Sequence, residues 1–156
     1  EDENEALAAC PRFKSALLGA DDPHDIAESA YWSMVCSTDL GRFAIAKLLL
    51  PMANKSLSMS MFQIDVEMKI ARIGLMVALK KDLRGFRKEC ATCGTALDLT
   101  NRKLCKGCRN HCYCSRECQK QHWNRKDGGH RAECKEAQEL KVQIRDAGLM
   151  EKLTKK

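Results

Sequence analysis

Aromatic residues are scarce: four Phe, two Tyr and two Trp, 5% of 156 residues. Any core therefore rests mainly on Leu, Ile, Met and Val. Long apolar runs are also missing. A membrane-spanning helix needs about 20 consecutive apolar residues. The longest candidate, Met59 to Leu79, is broken by Gln63, Asp65, Glu67, Lys69 and Arg72. No basic-then-apolar signal pattern opens the sequence. It starts at Glu1 rather than at a methionine, as a processed form or a piece of a longer protein would. The helical half lacks a Gly-rich substrate loop, a nucleophile paired with a base, and paired catalytic acids, so no enzyme is expected in this chain. With 44% apolar and 31% charged residues, the composition is that of a folded globular chain.

Cysteine, by contrast, is abundant: ten residues, eight of them between Cys90 and Cys134. A disulfide framework suits a small secreted domain, whereas paired C-x-x-C spacings suit metal. The expected setting is intracellular, in the cytoplasm, the nucleus or both. Cys10 and Cys36 stand apart on helical faces among apolar residues and read as buried, inert thiols.

Charge divides the chain near Arg84. Residues 1–83 carry nine Lys/Arg and twelve Asp/Glu, and residues 84–156 carry eighteen and nine. The acidic half reads as helical. A stripe from Ala6 to Leu18 predicts a first helix, interrupted by Pro11 and ended by Gly19. Asp22-Pro23-His24-Asp25 has the form of a helix start: a capping aspartate, proline at the first position and an acid in the first turn. His24 reads as a solvated surface residue. A further helix is expected over Leu40 to Met52, with Pro51 near its end.

A long helix is expected from about Ser58 to Leu83. Phe62, Val66, Ile70, Ile73 and Val77 form its stripe, widened by Met61, Ile64, Met68, Ala71, Leu75 and Met76. So broad an apolar face predicts burial against several neighbours. Met52, Met59, Met61, Met68 and Met76 read as core filling. The region is expected to keep its helices without zinc, as a core of its own and as the end of a larger helical domain.

The basic half carries four ligand pairs: Cys90-x2-Cys93, Cys105-x2-Cys108, Cys114-x3-Cys118 and His130-x3-Cys134. Structural zinc takes thiolate and imidazole ligands in a closed tetrahedron. A C-x2-C turn delivers two sulfurs to one ion, and a pair four apart does so from one helix face. Gly94 and Gly107 allow the tight turns. Eight ligands make two four-coordinate structural Zn2+ sites and leave no open position for catalysis. Sequential and interleaved pairings satisfy the valence equally. Cys112 is left over as a spare thiol, His122 reads as a surface residue, and His111 is a reserve ligand should His130 fail.

These pairs, with Tyr113-Cys114-Ser115-x2-Cys118-Gln119 and Trp123, resemble the MYND-type zinc finger over residues 90–134. The resemblance implies interleaved sites: Cys90, Cys93, Cys114 and Cys118 in one, and Cys105, Cys108, His130 and Cys134 in the other. It also implies a protein-interaction module that docks short, proline-containing peptides of the P-x-L-x-P kind. The matching contact positions are Gln119, Trp123 and Ser115. Trp123 has a second reading, as packing for the zinc-stapled core. One departure is the six-residue stretch Asn124 to Gly129 before His130, where the family usually has about two. It reads as an early helix end followed by a loop, and it reshapes the groove edge.

The expected organisation is mainly α: a helical region over 1–84, a small two-zinc finger with short strands over 85–136, and a C-terminal helix and tail over 137–156. Ala137, Leu140, Ile144 and Ala147 stripe that last helix, Gly148 ends it, and it is expected to pack back on the chain. The leading function is a zinc-binding adaptor or regulator with a protein or peptide partner. Two alternatives are a nucleic-acid-associated transcriptional regulator and a non-catalytic fragment of a SET/MYND-type lysine methyltransferase. Metal weakens the nucleic-acid case. Seven thiolates and two Zn2+ reduce the formal excess of nine positive charges in residues 84–156 to six. No base-stacking aromatic set interleaves the cations.

Overall fold

The structure, a computed structural model, describes residues 2–59, 66–85, 88–126 and 129–154; side chains are described over 9–55, 70–81, 88–126 and 129–154. Four helices come first: α1 (Asp2–Gly19), α2 (Pro23–Asp39), α3 (Phe43–Met59) and α4 (Val66–Gly85). The cysteine-rich segment follows, with β1 (Lys103–Leu104), β2 (Cys112–Tyr113) and α5 (Arg116–Asn124). Helices α6 (His130–Asp146) and α7 (Leu149–Lys152) close the chain. The fold is mainly α, as expected. None of the described helices is long and apolar enough to cross a membrane.

Local signals account for several boundaries. The Asp22 carboxylate accepts the N–H groups of His24 (2.8 Å) and Asp25 (3.3 Å), and Pro23 opens α2. Two prolines are absorbed rather than breaking their helices. α1 runs through Pro11, and α3 continues past Pro51 to Met59, beyond the expected end at Met52. A proline costs one helical hydrogen bond and crowds the preceding turn. Packing offsets this: Leu49, Met52 and Ala53, on either side of Pro51, are buried.

The main core joins Leu17, Ile26, Tyr31, Met34, Leu49 and Met52 from the first three helices to Met76 and Leu79 of α4. Ala137, Leu140 and Ile144 of α6, then Leu149 and Leu153, complete it. The C-terminal helix thus packs back on the helical region. Its stripe begins one turn after the ligand Cys134, so one helix serves both halves.

α4 departs from expectation. Ser58 and Met59 belong to α3, and residues 60–65, with Met61, Phe62 and Ile64, lie outside the described ones. Ile70 (65% exposed), Ile73 (49%) and Val77 (60%) face outward. The stripe is wider than the single face α4 lays on the core, so only Met76 and Leu79 are buried among its described side chains. Arg72 ties α4 to α2. It donates two hydrogen bonds to Glu28 (2.5 and 2.8 Å), with its guanidinium 5.2 Å from the Tyr31 ring centroid. Of the methionine group, Met52 and Met76 fill the core; the side chains of Met59, Met61 and Met68 lie outside the described ones.

Candidate metal centre and docking face

Four elements bring the ligand pairs together. Cys90 and Cys93 lie on a tight turn closed by the Gly94 N–H to the Cys90 carbonyl (2.9 Å), with Gly94 at φ +71°, a left-handed conformation that glycine adopts freely. A second loop, Cys105 to Cys108, is closed by the Arg109 N–H to the Cys105 carbonyl (2.9 Å). β1 and β2 pair antiparallel, Lys103 with Tyr113 and Leu104 with Cys112, and the ribbon delivers Cys114 to the start of α5. Ser115 caps that helix, its Oγ accepting the Cys118 N–H (3.1 Å). Cys118 then lies one turn above Cys114, and α6 carries His130 and Cys134 one turn apart.

The side chains converge in two sets of four: Cys90, Cys93, Cys114, Cys118, and Cys105, Cys108, His130, Cys134. Within each set the ligand atoms lie within 4.8 Å of one another. Around tetrahedral zinc, neighbouring sulfurs stand about 3.8 Å apart, and sulfur and nitrogen about 3.6 Å. The Sγ separations are 3.6 Å for Cys93–Cys114, 3.5 Å for Cys114–Cys118 and 3.7 Å for Cys105–Cys134; Cys108 Sγ stands 3.3 Å from His130 Nε2. The donor sets therefore fit two zinc ions.

The thiols within each set shift in opposite directions: Cys90, Cys93 and Cys105 are lowered, whereas Cys108, Cys114, Cys118 and Cys134 are raised. Burial works against a Cys90 thiolate, yet the backbone amides of Cys93, Cys114 and Thr92 outweigh it and bring the group down to about 6. Cys105 is held well below the ordinary thiol range, first by the Cys108 side chain and, against burial, by His130 and the amides of Cys108 and Gly107. Gly107 has a steric role as well: a Cβ there would meet Cys134 Sγ at 2.8 Å and Gln138 Nε2 at 2.9 Å.

This geometry coincides with a sequence match: residues 90–134, under a third of the chain, fit the MYND finger family. The segment is a MYND finger. No curated protein and no solved structure matches the chain. MYND fingers are zinc-binding, non-catalytic protein-interaction modules, and the rest of the chain is unassigned. The interleaved sets implied by the resemblance are the two that converge. Cys112 belongs to neither. It is fully buried, and its carbonyl accepts the Ala91 N–H (2.9 Å).

Around the second site of the MYND finger lies a network that sequence reasoning missed. His130 offers Nε2 toward the metal position, and its Nδ1 faces Glu133 Oε2 at 3.3 Å. A carboxylate behind a ligating imidazole fixes its tautomer and orientation. The same oxygen takes His111 Nε2 at 2.8 Å, and the other oxygen accepts the Ala44 N–H at the start of α3 (2.7 Å). Burial would raise the Glu133 carboxyl, but the bonds from His111 and His130, and then the Ala44 amide, hold it down to about 2. Asn110 Nδ2 donates to the Ala44 carbonyl (2.9 Å), and Arg42 pairs with Glu136. The finger is thereby fastened to the N-terminus of α3. A carboxylate three residues after His130 on a helix was the only available sign, and it has no distinctive spacing.

His111 is buried within this network, and His130 occupies the ligand position. His122 is not the surface residue expected. It is buried, with Nδ1 3.1 Å from the Tyr113 hydroxyl. Burial first, then the nearby charges of His111, His130 and Arg125, lower it to about 4. Its partner lies on β2, and a helix periodicity gives no hint of that.

Gln119 and Trp123, one turn apart on α5, line a groove of ≈ 610 Å³ with Leu104 on its opposite wall. Trp123 is half-buried, packs on the finger's own core and lies edge-on to His130 at 6.0 Å. Among the described residues, neither the Gln119 amide nor the indole N–H has a protein hydrogen-bond partner. α5 ends at Asn124, as the early-stop reading expected; Asp127 and Gly128 lie outside the described residues, and Gly129 opens α6.

Proposed function

We propose that the MYND finger docks a short extended segment of a partner protein across the α5–β1 groove, with an apolar or proline side chain seated on Trp123. The observation that carries this is the pair Gln119 and Trp123. An unpartnered amide and a half-exposed indole line the same groove, beside Leu104. A large flat apolar surface with one polar handle suits an extended peptide. Ser115 contributes by holding the start of α5. In this reading residues 85–136 are the docking unit, while 1–84 and 137–156 are its support. The whole acts as an adaptor.

Trp123→Ala should abolish binding to arrayed peptides with a P-x-L-x-P core, Gln119→Ala should weaken it, and both variants should keep two zinc ions by native mass spectrometry. Loss of metal in Trp123→Ala together with unchanged binding by Gln119→Ala means that both residues are structural and the groove is not the partner site.

A further inference from the structure

Two grooves meet at Trp123 and Asn124, which wall both. The first, between β1 and α5, is flanked by Lys103, Lys106, Arg116 and Lys120. The second, of ≈ 790 Å³ between α5 and α6, is flanked by Arg125, Lys126, Arg131 and Lys135. Among the described residues, no aspartate or glutamate lines either groove. Among the described residues, Lys135 alone of these eight cations has a carboxylate within ion-pair range, Glu139 at 3.8 Å. Glu117 stands close enough to feel Lys103 and Lys120, but outside the lining. Eight of the eighteen Lys and Arg in residues 84–156 thus line the two grooves that share one indole, and most have no ion-pair partner among the described residues.

We infer that the two grooves act as one trough for an acidic peptide. An apolar or proline anchor sits on Trp123, and Asp or Glu side chains on both sides of it meet the two cationic arms. This rests on the docking reading above and adds its charge requirement. Complementary charge at an exposed rim steers encounter and selects partners more than it adds raw affinity. The aromatic inventory argues against a nucleic-acid strand. Strand binders stack successive bases on several exposed rings, whereas His111, Tyr113 and His122 are all buried and, among the described residues, Trp123 is the one aromatic that lines the grooves.

The test uses the zinc-loaded full chain and fluorescence anisotropy with three probes. One is a labelled peptide with a Pro-Ala-Leu-Ala-Pro core and Glu flanks on both sides. The second has the same core with Ser flanks, and the third is a mixed-sequence single-stranded oligonucleotide. The Glu-flanked peptide should bind about tenfold tighter than the Ser-flanked one at low salt, with the gap closing as salt rises. Lys103→Glu with Lys120→Glu, and separately Lys126→Glu with Lys135→Glu, should each remove most of that gap. Both should weaken Ser-flanked binding far less than Glu-flanked binding and leave the two-zinc mass unchanged. Equal affinity for the two peptides overturns the acidic trough and leaves the docking reading standing. Loss of the gap in only one double variant overturns the continuity of the two grooves. Tighter binding of the oligonucleotide than of either peptide assigns the cations to phosphate instead. No binding of either peptide overturns both readings together.

Discussion

Leu17, Ile26, Met34, Leu49 and Leu140 are all nearly fully removed from solvent in the helical core, whereas the buried residues of the finger's own cluster are three cysteines and a tyrosine. The first region gains stability by taking apolar surface out of water. The second has too little such surface, and its free energy comes from metal coordination, on the order of 10–16 kcal/mol per structural zinc at neutral pH. The two schemes meet in α6, whose first turn holds zinc ligands and whose later turns wall the apolar core. One continuous helix can therefore transmit loss of metal to a region that contains none.

Chelation is the largest perturbation available. Removing both ions should unfold residues 90–126, while α1 to α3 stay helical with a lower melting temperature. Circular dichroism with residue-resolved hydrogen exchange reads both parts. Complete loss of helix means a single cooperative core, and an unchanged melting temperature of the helical region means that α6 does not couple the two.

Next in size is the single ligand. Cys114→Ser should cost the first zinc and disorder much of the finger, whereas Cys112→Ser should retain two ions by native mass spectrometry. Equal damage from both breaks the ligand assignment.

Glu133→Ala probes the joint itself. Removing a carboxylate behind a metal-bound imidazole lowers metal affinity by about 10–100-fold, and leaving the Ala44 amide and His111 without their acceptor costs about 1–3 kcal/mol. Both effects should appear, one in competition with a zinc chelator and the other as weaker protection of the α3 amides. An effect on zinc alone separates the two regions.

The smallest effect concerns pH. His122 is held neutral, with its pKa lowered to about 4 from an unfolded value near 6.5. The unfolded chain binds the extra proton first, so this group's stabilising contribution falls as pH drops below about 6.5 and stops falling near 4. His122→Phe should flatten that part of the melting profile in the zinc-loaded finger. An identical slope in the variant assigns the pH dependence to the ligands alone.

The zinc ligands and α2 were legible because each rests on local spacing: pairs three or four residues apart, and a cap followed by proline. Spacing did not choose between sequential and interleaved sites, since valence is blind to it; the family pattern supplied that choice. Ile70, Ile73 and Val77 misled because periodicity reports an apolar face without reporting whether a neighbour covers it. His122 and Glu133 were invisible for the opposite reason. Their partners, Tyr113, His111 and the Ala44 amide, are brought close only by the tertiary fold.

The placement of α6 also has a consequence for the order of assembly during synthesis. Leu140, Ile144, Leu149 and Leu153 close a core whose other walls leave the ribosome before the finger does. Until α6 has emerged, Leu17 and Leu49, which lie beside Leu140, face a missing wall, and exposed apolar surface of that kind is prone to aggregation. Zinc capture by the nascent finger, which sets the first turn of α6, would then decide how soon that exposure ends.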